Sequence, residues 1–221
     1  MTRIIGTAFC GTFLAAALAC APSAPPSKRD AWIDPEDLRR DAMPATRAIL
    51  DALAPRPGET IGDIGAGGGY FTFKIAPLVG PEGKVIATDS DPSCVKLIDD
   101  YAESRGIDNV DAVRVDPEEV GTGEVLDKVL MVNLFYFTDP GETREYFEGL
   151  HERLAPEGRV VIYQDETGCP PDGAGGGWNG CVLSGDEMAA ALRGPFRFRR
   201  VAGFGAKGEP YLLVLTKDTA R

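Results

Sequence analysis

The chain has 221 residues and a formal net charge of −11, with 43% hydrophobic and 26% charged residues. This composition is typical of a soluble globular protein with one core, and the length leaves too little chain for two full domains. An acidic surface repels phosphate backbones and anionic lipid, so no nucleic-acid partner is expected. The one histidine, His151, and the five scattered cysteines show no zinc-ligand spacing, so no metal site is predicted.

The first residues have the pattern of a signal peptide. Arg3 gives a short basic start, residues 4–18 carry no charge, and Ala17-Leu18-Ala19 fits a cleavage site built from small residues. The apolar run is too short to span a bilayer comfortably. We therefore predict a signal peptide over residues 1–19 and an exported protein.

Cys20 directly follows this cleavage site. The arrangement resembles a bacterial lipoprotein signal, in which the cysteine is lipidated, although Ala17 stands where such signals usually have Leu. Residues 20–33 are rich in Pro, Ser and Ala and predict a flexible tether ahead of a domain over residues 34–221. The expected location is periplasmic or membrane-anchored through Cys20. The alternative is a misassigned start with a disordered cytoplasmic leader.

Helical and extended segments alternate from residue 34 onward. Helices are predicted over residues 35–53, 70–78, 92–105, 142–154 and 188–192, and strands over residues 60–64, 84–89, 110–115, 128–134, 159–163, 196–204 and 211–216. Five strands alternating with helices predict an α/β fold with a Rossmann-like, doubly wound and mainly parallel sheet. The last two strands are separated by a loop with Gly and Pro, which predicts a C-terminal antiparallel hairpin.

The first strand ends in a candidate ligand site. Open α/β sheets bind ligands beyond the carboxyl ends of their strands. Here Asp63 precedes a loop of small residues, Gly65-Ala66-Gly67-Gly68-Gly69, whose glycines permit a tight turn and a close approach of a ligand. The Asp63 carboxylate suits the amino group of a bound amino acid and is a poor neighbour for a pyrophosphate. Tyr70 stands where the dinucleotide motif G-x-G-x-x-G needs its last glycine.

This segment resembles the first motif of class I S-adenosylmethionine-dependent methyltransferases, in particular their small-molecule, quinone-biosynthesis branch. The resemblance rests on residues 63–73 and on the turn-like segment Leu154–Val160, and it covers roughly residues 36–217. It implies that the chain binds S-adenosylmethionine and methylates a small-molecule acceptor. The residues that it assigns to the cofactor are Asp63, Gly65, Ala66, Gly67, Gly69, Asp89, Asp116 and Asn133.

Three of these residues belong to later strands. The Asp89 carboxylate, at the end of the second strand, can accept hydrogen bonds from both ribose hydroxyls. The resemblance gives Asp116 the adenine amino group and places Asn133, in the fourth strand, near the methionine part. A single acid at a strand end is commonly a turn residue. Their combination with the glycine loop favours the cofactor.

The sequence does not assign a catalytic base. Relatives of this type often carry histidines just after the fourth strand, whereas this chain has Leu134-Phe135-Tyr136-Phe137. His151 falls in the following helix and is expected on its solvent face. Tyr136, Tyr163 and Asp165 are the polar candidates, with the alternatives that the tyrosines only pack and that Asp165 is solvated. The cofactor already carries the activation, so the main tasks of the protein are alignment and exclusion of water.

Residues 165–183 form a connection that is longer than a plain connector needs. The segment has little charge and one aromatic residue, Trp178, and it predicts either a lid over a neutral or apolar acceptor or a surface loop. Cys169 and Cys181 either form a disulfide in an oxidising compartment or are unrelated thiols. The alternative function is an exported, lipid-anchored ligand-binding domain with little or no activity. The oligomeric state is left open.

Overall fold

The computed structural model describes residues 41, 44–116, 119–121, 123–134, 139–165, 183–192, 196–202 and 210–217. The helices are α1 (Pro44–Leu53), α2 (Thr72–Val79), α3 (Pro92–Arg105), α4 (Pro140–Arg153) and α5 (Gly185–Ala191). The strands are β1 (Thr60–Ile64), β2 (Lys84–Asp89), β3 (Val110–Arg114), β4 (Leu126–Val132), β5 (Leu154–Gln164), β6 (Phe196–Ala202) and β7 (Tyr211–Lys217). Each predicted helix and strand has a counterpart among them.

The strands form one sheet in the order β3-β2-β1-β4-β5-β7-β6. Strand β1 pairs in parallel with both β2 and β4, and β2–β3 and β4–β5 are parallel as well. Strand β7 runs antiparallel to β5 and β6. The predicted Rossmann-like α/β sheet with a C-terminal antiparallel hairpin is confirmed. The strand order reverses between β1 and β4, which puts the switch point, where such sheets bind ligands, at the ends of these two strands.

The two faces of the sheet are covered by different helices because side chains alternate along each strand. In β4, Val129 and Met131 pack with residues of α4 and α5, whereas Leu130 packs with residues of α1 and α2. All three side chains are fully buried. Burial on both faces explains why the central strands are almost continuously apolar.

Polar caps set the helix starts. Asp139 Oδ1 accepts hydrogen bonds from the N–H groups of Gly141 and Glu142, at 2.7 and 3.0 Å, and Pro140 takes the first helical position. Helix α4 therefore begins two residues before the predicted start. Helix α2 begins two residues later than predicted, because the turns of the glycine loop continue through Phe71.

The capping box at the start of α5 gives a stability prediction. Ser184 Oγ accepts from the Glu187 N–H at 3.3 Å, and Glu187 Oε2 accepts from the Ser184 N–H at 2.9 Å, so each residue caps the other. Ser184→Ala removes one of these bonds and is expected to lower the free energy of unfolding by about 1 kcal/mol. In denaturant titrations the control Ser184→Gly should lose only a few tenths of that, because Gly is itself a good cap. Equal losses in both variants would contradict the capping role.

Strand β5 begins at Leu154, five residues before the predicted position. Leu154 and Arg159 both pair with β4, and their two partners there are separated by a single residue. The four residues between them, 155–158, therefore bulge out of the ladder, and a Cβ at Gly158 would lie only 2.7 Å from the Ala155 carbonyl oxygen. The predicted turn is thus a bulge inside the strand, because Leu154 is buried and continues the pairing.

Two cations, the buried Lys128 and the half-buried Arg159, tie the C-terminal end of α1 to the sheet. Lys128 Nζ donates to the Ala54 carbonyl at 2.5 Å and lies 2.7 Å from the Glu59 carboxylate. Arg159 Nη1 donates to the Ala52 carbonyl at 2.8 Å. These bonds satisfy terminal carbonyls of the helix. The bonds from Lys128 and Arg159 thus anchor the C-terminal end of α1 on the sheet. The N-terminal half of α1 lies at the switch point.

All described residues belong to one compact unit, Ile33–Arg221. Within them, no helix is long and apolar enough to cross a membrane. In the same part of the chain, no three His, Cys, Asp or Glu side chains are grouped so that they would hold a metal ion. The predicted signal peptide (1–19) and tether (20–33), with Cys20, lie outside the described residues and stay predictions.

Candidate functional site

A cavity of about 440 Å³ opens at the ends of β1 and β4. Its walls come from α1, the glycine loop and the residues that end β4 and β5. The lining residues are Ala45, Thr46, Ile49, Asp63, Gly65, Ala66, Gly67, Gly68, Tyr70, Phe71, Val132, Asn133, Tyr163 and Asp165. The volume is in the range of small-molecule sites, and the position is the switch point of the sheet.

The glycine loop turns sharply where β1 ends. Gly65 and Gly69 have φ angles of 70° and 82°, in the left-handed region that favours glycine. A Cβ at Gly65 would lie 2.5 Å from Leu134 Cδ2, and a Cβ at Gly69 would lie 2.7 Å from Phe73 Cε2. The loop therefore needs glycine at both positions to bring its backbone to the cavity.

Several N–H groups of this loop are used inside the protein. Gly65 and Ala66 both donate to the Thr88 carbonyl, at 2.8 and 2.9 Å. Gly67 donates to Asp89 Oδ2 at 2.8 Å. A phosphate-binding loop instead presents its N–H groups to the ligand. The loop is therefore unsuited to a pyrophosphate, as its sequence indicates.

Asp63 provides a buried negative charge at the cavity. The residue is 3% exposed, and Thr72 Oγ1 donates to its Oδ2 at 2.6 Å. Burial raises the pKa of Asp63 to about 6, and the Thr72 hydrogen bond partly opposes that shift. No Lys, Arg or His is among the described residues that line the cavity. A buried carboxylate in this setting favours a cationic ligand group as its partner.

A second polar group joins the ends of β4 and β5. Asn133 Oδ1 accepts from the Asp165 N–H at 2.8 Å, and Asn133 Nδ2 donates to Asp165 Oδ2 at 3.0 Å. The Asn133 N–H donates to the Tyr163 carbonyl at 2.8 Å. Asn133 has a φ of 54°, so it lies just beyond β4 and the prediction that it lies within the strand is wrong. Asn tolerates this left-handed conformation, and the three bonds fix the Asp165 carboxylate at the cavity wall.

Tyr163 lies beside this carboxylate. Burial raises its pKa well above the ordinary value, and a hydrogen bond to Asp165 raises it further. The phenol therefore stays protonated at neutral pH. A phenol that holds its proton so firmly is not favoured as the general base.

A polar contact holds the glycine loop near the N-terminal side of α1. Tyr70 Oη donates to Asp41 Oδ1 at 2.6 Å, and Lys74 Nζ lies 2.5 Å from the same oxygen. The Lys74 ammonium also lies 4.8 Å from the centroid of the Tyr70 ring. The hydrogen bonds from Lys74 and Tyr70 hold the pKa of Asp41 below its usual value. This contact closes one side of the cavity, and no motif in the sequence indicates it.

Three of the predicted cofactor residues, Gly69, Asp89 and Asp116, are not part of the cavity wall. Asp89 accepts from the N–H groups of Gly67 and Asp91, at 2.8 and 2.9 Å, and so joins the glycine loop to the start of α3. Asp116 is exposed and lies two residues beyond β3. Their predicted contacts with ribose and adenine stay predictions.

The remaining candidates lie elsewhere. His151 is half-buried in the last turn of α4, with its ring centroid 5.1 Å from that of Phe196. The prediction of a solvent-facing His151 is therefore wrong, because β6 covers that side of the helix. Outside the described residues lie Tyr136, Trp178, Cys169 and Cys181.

The comparisons with known proteins agree with this geometry. Residues 61–158 match the model of a family described as a methyltransferase domain. A solved S-adenosylmethionine-dependent methyltransferase from Aquifex aeolicus superposes with a TM-score of 0.56 at 20% identity, over 83% of this chain and 97% of that chain. The fold is the Rossmann-like fold of methyltransferases.

Two curated relatives extend the comparison. The arsenite methyltransferase of Halobacterium salinarum is 30% identical over 153 residues, which is 63% of this chain and 37% of the relative. The ubiquinone/menaquinone biosynthesis C-methyltransferase UbiE of Vibrio campbellii is 27% identical over 119 residues, 53% of this chain and 46% of the relative. The chain thus spans less than half the length of these relatives.

The site fits the cofactor that the sequence predicts. S-adenosylmethionine carries an ammonium group, a sulfonium cation and one carboxylate, which leaves a net positive charge, and it has no phosphate. The cavity offers the buried carboxylate of Asp63, and several loop N–H groups are already occupied. These features match a cationic nucleoside and do not match the pyrophosphate of a dinucleotide.

Proposed function

We propose that this chain is an S-adenosylmethionine-dependent methyltransferase that acts on a small-molecule acceptor. The observation that carries the proposal is the buried Asp63 carboxylate beside a glycine loop, several of whose N–H groups bond within the protein. The match of residues 61–158 to a methyltransferase domain and the two curated relatives support it.

In this proposal, three carboxylates each bind a different part of the cofactor. Asp63 holds the ammonium group of the methionine part, Asp89 the ribose hydroxyls and Asp116 the adenine amino group. The bound cofactor supplies an electrophilic methyl carbon. The protein orients this carbon and excludes water, and Tyr70 with α1 covers that side of the cavity. A cavity of about 440 Å³ is small, which favours a small acceptor over a macromolecular one.

The activity is tested with full-length protein and methyl-tritiated S-adenosylmethionine. Pools of small molecules from a cell-envelope extract serve as acceptors, and labelled products are separated by chromatography. We expect label in a small-molecule fraction, and at least about tenfold less with the Asp63→Asn variant at the same subsaturating cofactor concentration. Absence of label in every fraction would contradict the proposal.

A second candidate is an exported, lipid-anchored domain that binds the cofactor or a related ligand and has little activity. The signal-like residues 1–19, Cys20 and the lack of a histidine after β4 favour it. Cofactor binding without labelled product would support this candidate. Mass spectrometry of the mature N-terminus tests the location, since a diacylated or triacylated Cys20 is expected and an intact Met1 would contradict it.

A further inference from the structure

Asp165 is a carboxylate of the cavity that the proposed cofactor contacts do not use. It lies one residue beyond β5 and is half-buried. Its Oδ2 accepts from Asn133 Nδ2 at 3.0 Å, and its N–H donates to Asn133 Oδ1 at 2.8 Å. The side chain is thus oriented by neutral groups, which fix its position and leave its negative charge uncompensated.

The charged side chains among the described residues that line the cavity are both carboxylates. These residues include Asp63 and Asp165 and contain no Lys, Arg or His. If Asp63 binds the ammonium group of the cofactor, as the proposed function holds, Asp165 is left for the acceptor.

We infer that the acceptor is an amine, and that Asp165 binds the N–H of its reacting nitrogen. The inference rests on the proposed function. An amine that arrives as an ammonium ion first loses one proton to water. The lone pair of the neutral nitrogen then forms the N–C bond, the C–S bond breaks, and its electron pair stays on sulfur. The extra N–H proton of the methylated nitrogen then leaves to water, so that a neutral amine and a neutral thioether result.

This reaction moves a positive charge from sulfur to nitrogen. A fixed carboxylate beside the nitrogen stabilises that developing charge more than it stabilises the neutral amine, so Asp165 favours the transition state. A thiolate or a carboxylate acceptor would instead bring a second negative charge next to Asp165. The site therefore selects for amines and against anionic acceptors of the same shape.

The test compares two analogues with the same phenylethyl group and opposite charge. Full-length protein loaded with S-adenosylhomocysteine is titrated with 2-phenylethylamine and with 3-phenylpropionate. We expect the amine to bind at least about tenfold more tightly than the carboxylate. Asp165→Asn should weaken amine binding at least about tenfold, lower kcat/KM for methyl transfer to the amine, and change S-adenosylhomocysteine affinity less than about twofold. The matched control is Asp108→Asn. Asp108 is exposed and lies before β3, an edge strand of the sheet. This substitution should leave amine binding, kcat/KM and S-adenosylhomocysteine affinity unchanged.

The outcomes distinguish a failure of the proposed methyltransferase function from a failure of the inference that the acceptor is an amine. Failure of the wild type to bind S-adenosylhomocysteine would overturn the proposed function itself. Retained S-adenosylhomocysteine binding would leave that function standing, and the inference alone would fall if the carboxylate binds as tightly as the amine or if no amine binding is detected. It would also fall if Asp165→Asn keeps the amine affinity. The wild-type comparison needs no variant, so it decides the matter even if Asp165→Asn does not fold.

Discussion

Asp63→Asn is expected to weaken S-adenosylmethionine binding about 10- to 100-fold, because a hydrogen bond to a charged group contributes about 1.5–3 kcal/mol. Asn keeps the size of the side chain and an oxygen that accepts the Thr72 hydroxyl, so the fold should persist. Only the charge that faces the cofactor ammonium is lost. Titration calorimetry measures the dissociation constant, and circular dichroism checks the fold. Asp108→Asn is again the matched control, and an unchanged affinity of Asp63→Asn would contradict the assignment of Asp63.

The pKa of Asp63 adds a pH dependence with a defined sign. Burial raises that pKa from 3.8 to about 6, so the residue contributes stability that is fully present below about pH 4 and is lost as the pH rises through about 6. Cofactor binding has the opposite dependence, since the ammonium group needs the ionised carboxylate. The dissociation constant is expected to rise up to about tenfold per unit as the pH falls below about 6, and Asp63→Asn should abolish this dependence. An affinity that is flat from about pH 5 to pH 7 in the wild type would contradict it.

Gly65→Ala is expected to lower the free energy of unfolding by about 2–3 kcal/mol and to impair cofactor binding. The φ of 70° strains any residue with a Cβ, and that Cβ would lie 2.5 Å from Leu134 Cδ2. Leu134 packs against the core, so it has to move. Denaturant titration measures the loss of stability, and calorimetry measures the loss of affinity.

Gly67→Ala is the matched control for this steric effect. Gly67 has a comparable φ of 53°, but an added Cβ meets no heavy atom within 4 Å. It should lose only about 1 kcal/mol, the cost of the left-handed conformation. Equal losses of stability in the two variants would show that the contact with Leu134 does not limit the loop.

Local sequence patterns predicted much of the fold because they carry local physics. The apolar run of β4 is buried on both faces, and the sequence Ser184 to Glu187 closes a capping box that needs only neighbouring residues. The candidate cofactor site at Asp63 could also be predicted from local sequence, because β1, the Asp63 carboxylate and the glycine loop follow one another directly in the chain.

The rest of the site depends on contacts between distant segments. Asn133 meets Asp165 only through the register of β4 and β5, which is interrupted by the bulge at residues 155–158. The contact of Asp41 with Tyr70 likewise joins residues 29 positions apart. Spacing along the chain does not indicate such pairs. The sequence therefore predicts Asp165 as a candidate base but not its contact with Asn133, and it does not predict Asp41 as a residue of the site.

The most direct test of the central claim is titration of full-length protein with S-adenosylmethionine and S-adenosylhomocysteine by calorimetry at neutral pH. We expect both ligands to bind at one shared site with a submillimolar dissociation constant, to compete with each other, and to lose most of their affinity in Asp63→Asn. Absence of binding for both ligands at millimolar concentration would contradict the assignment of the cavity at the ends of β1 and β4 as an S-adenosylmethionine site.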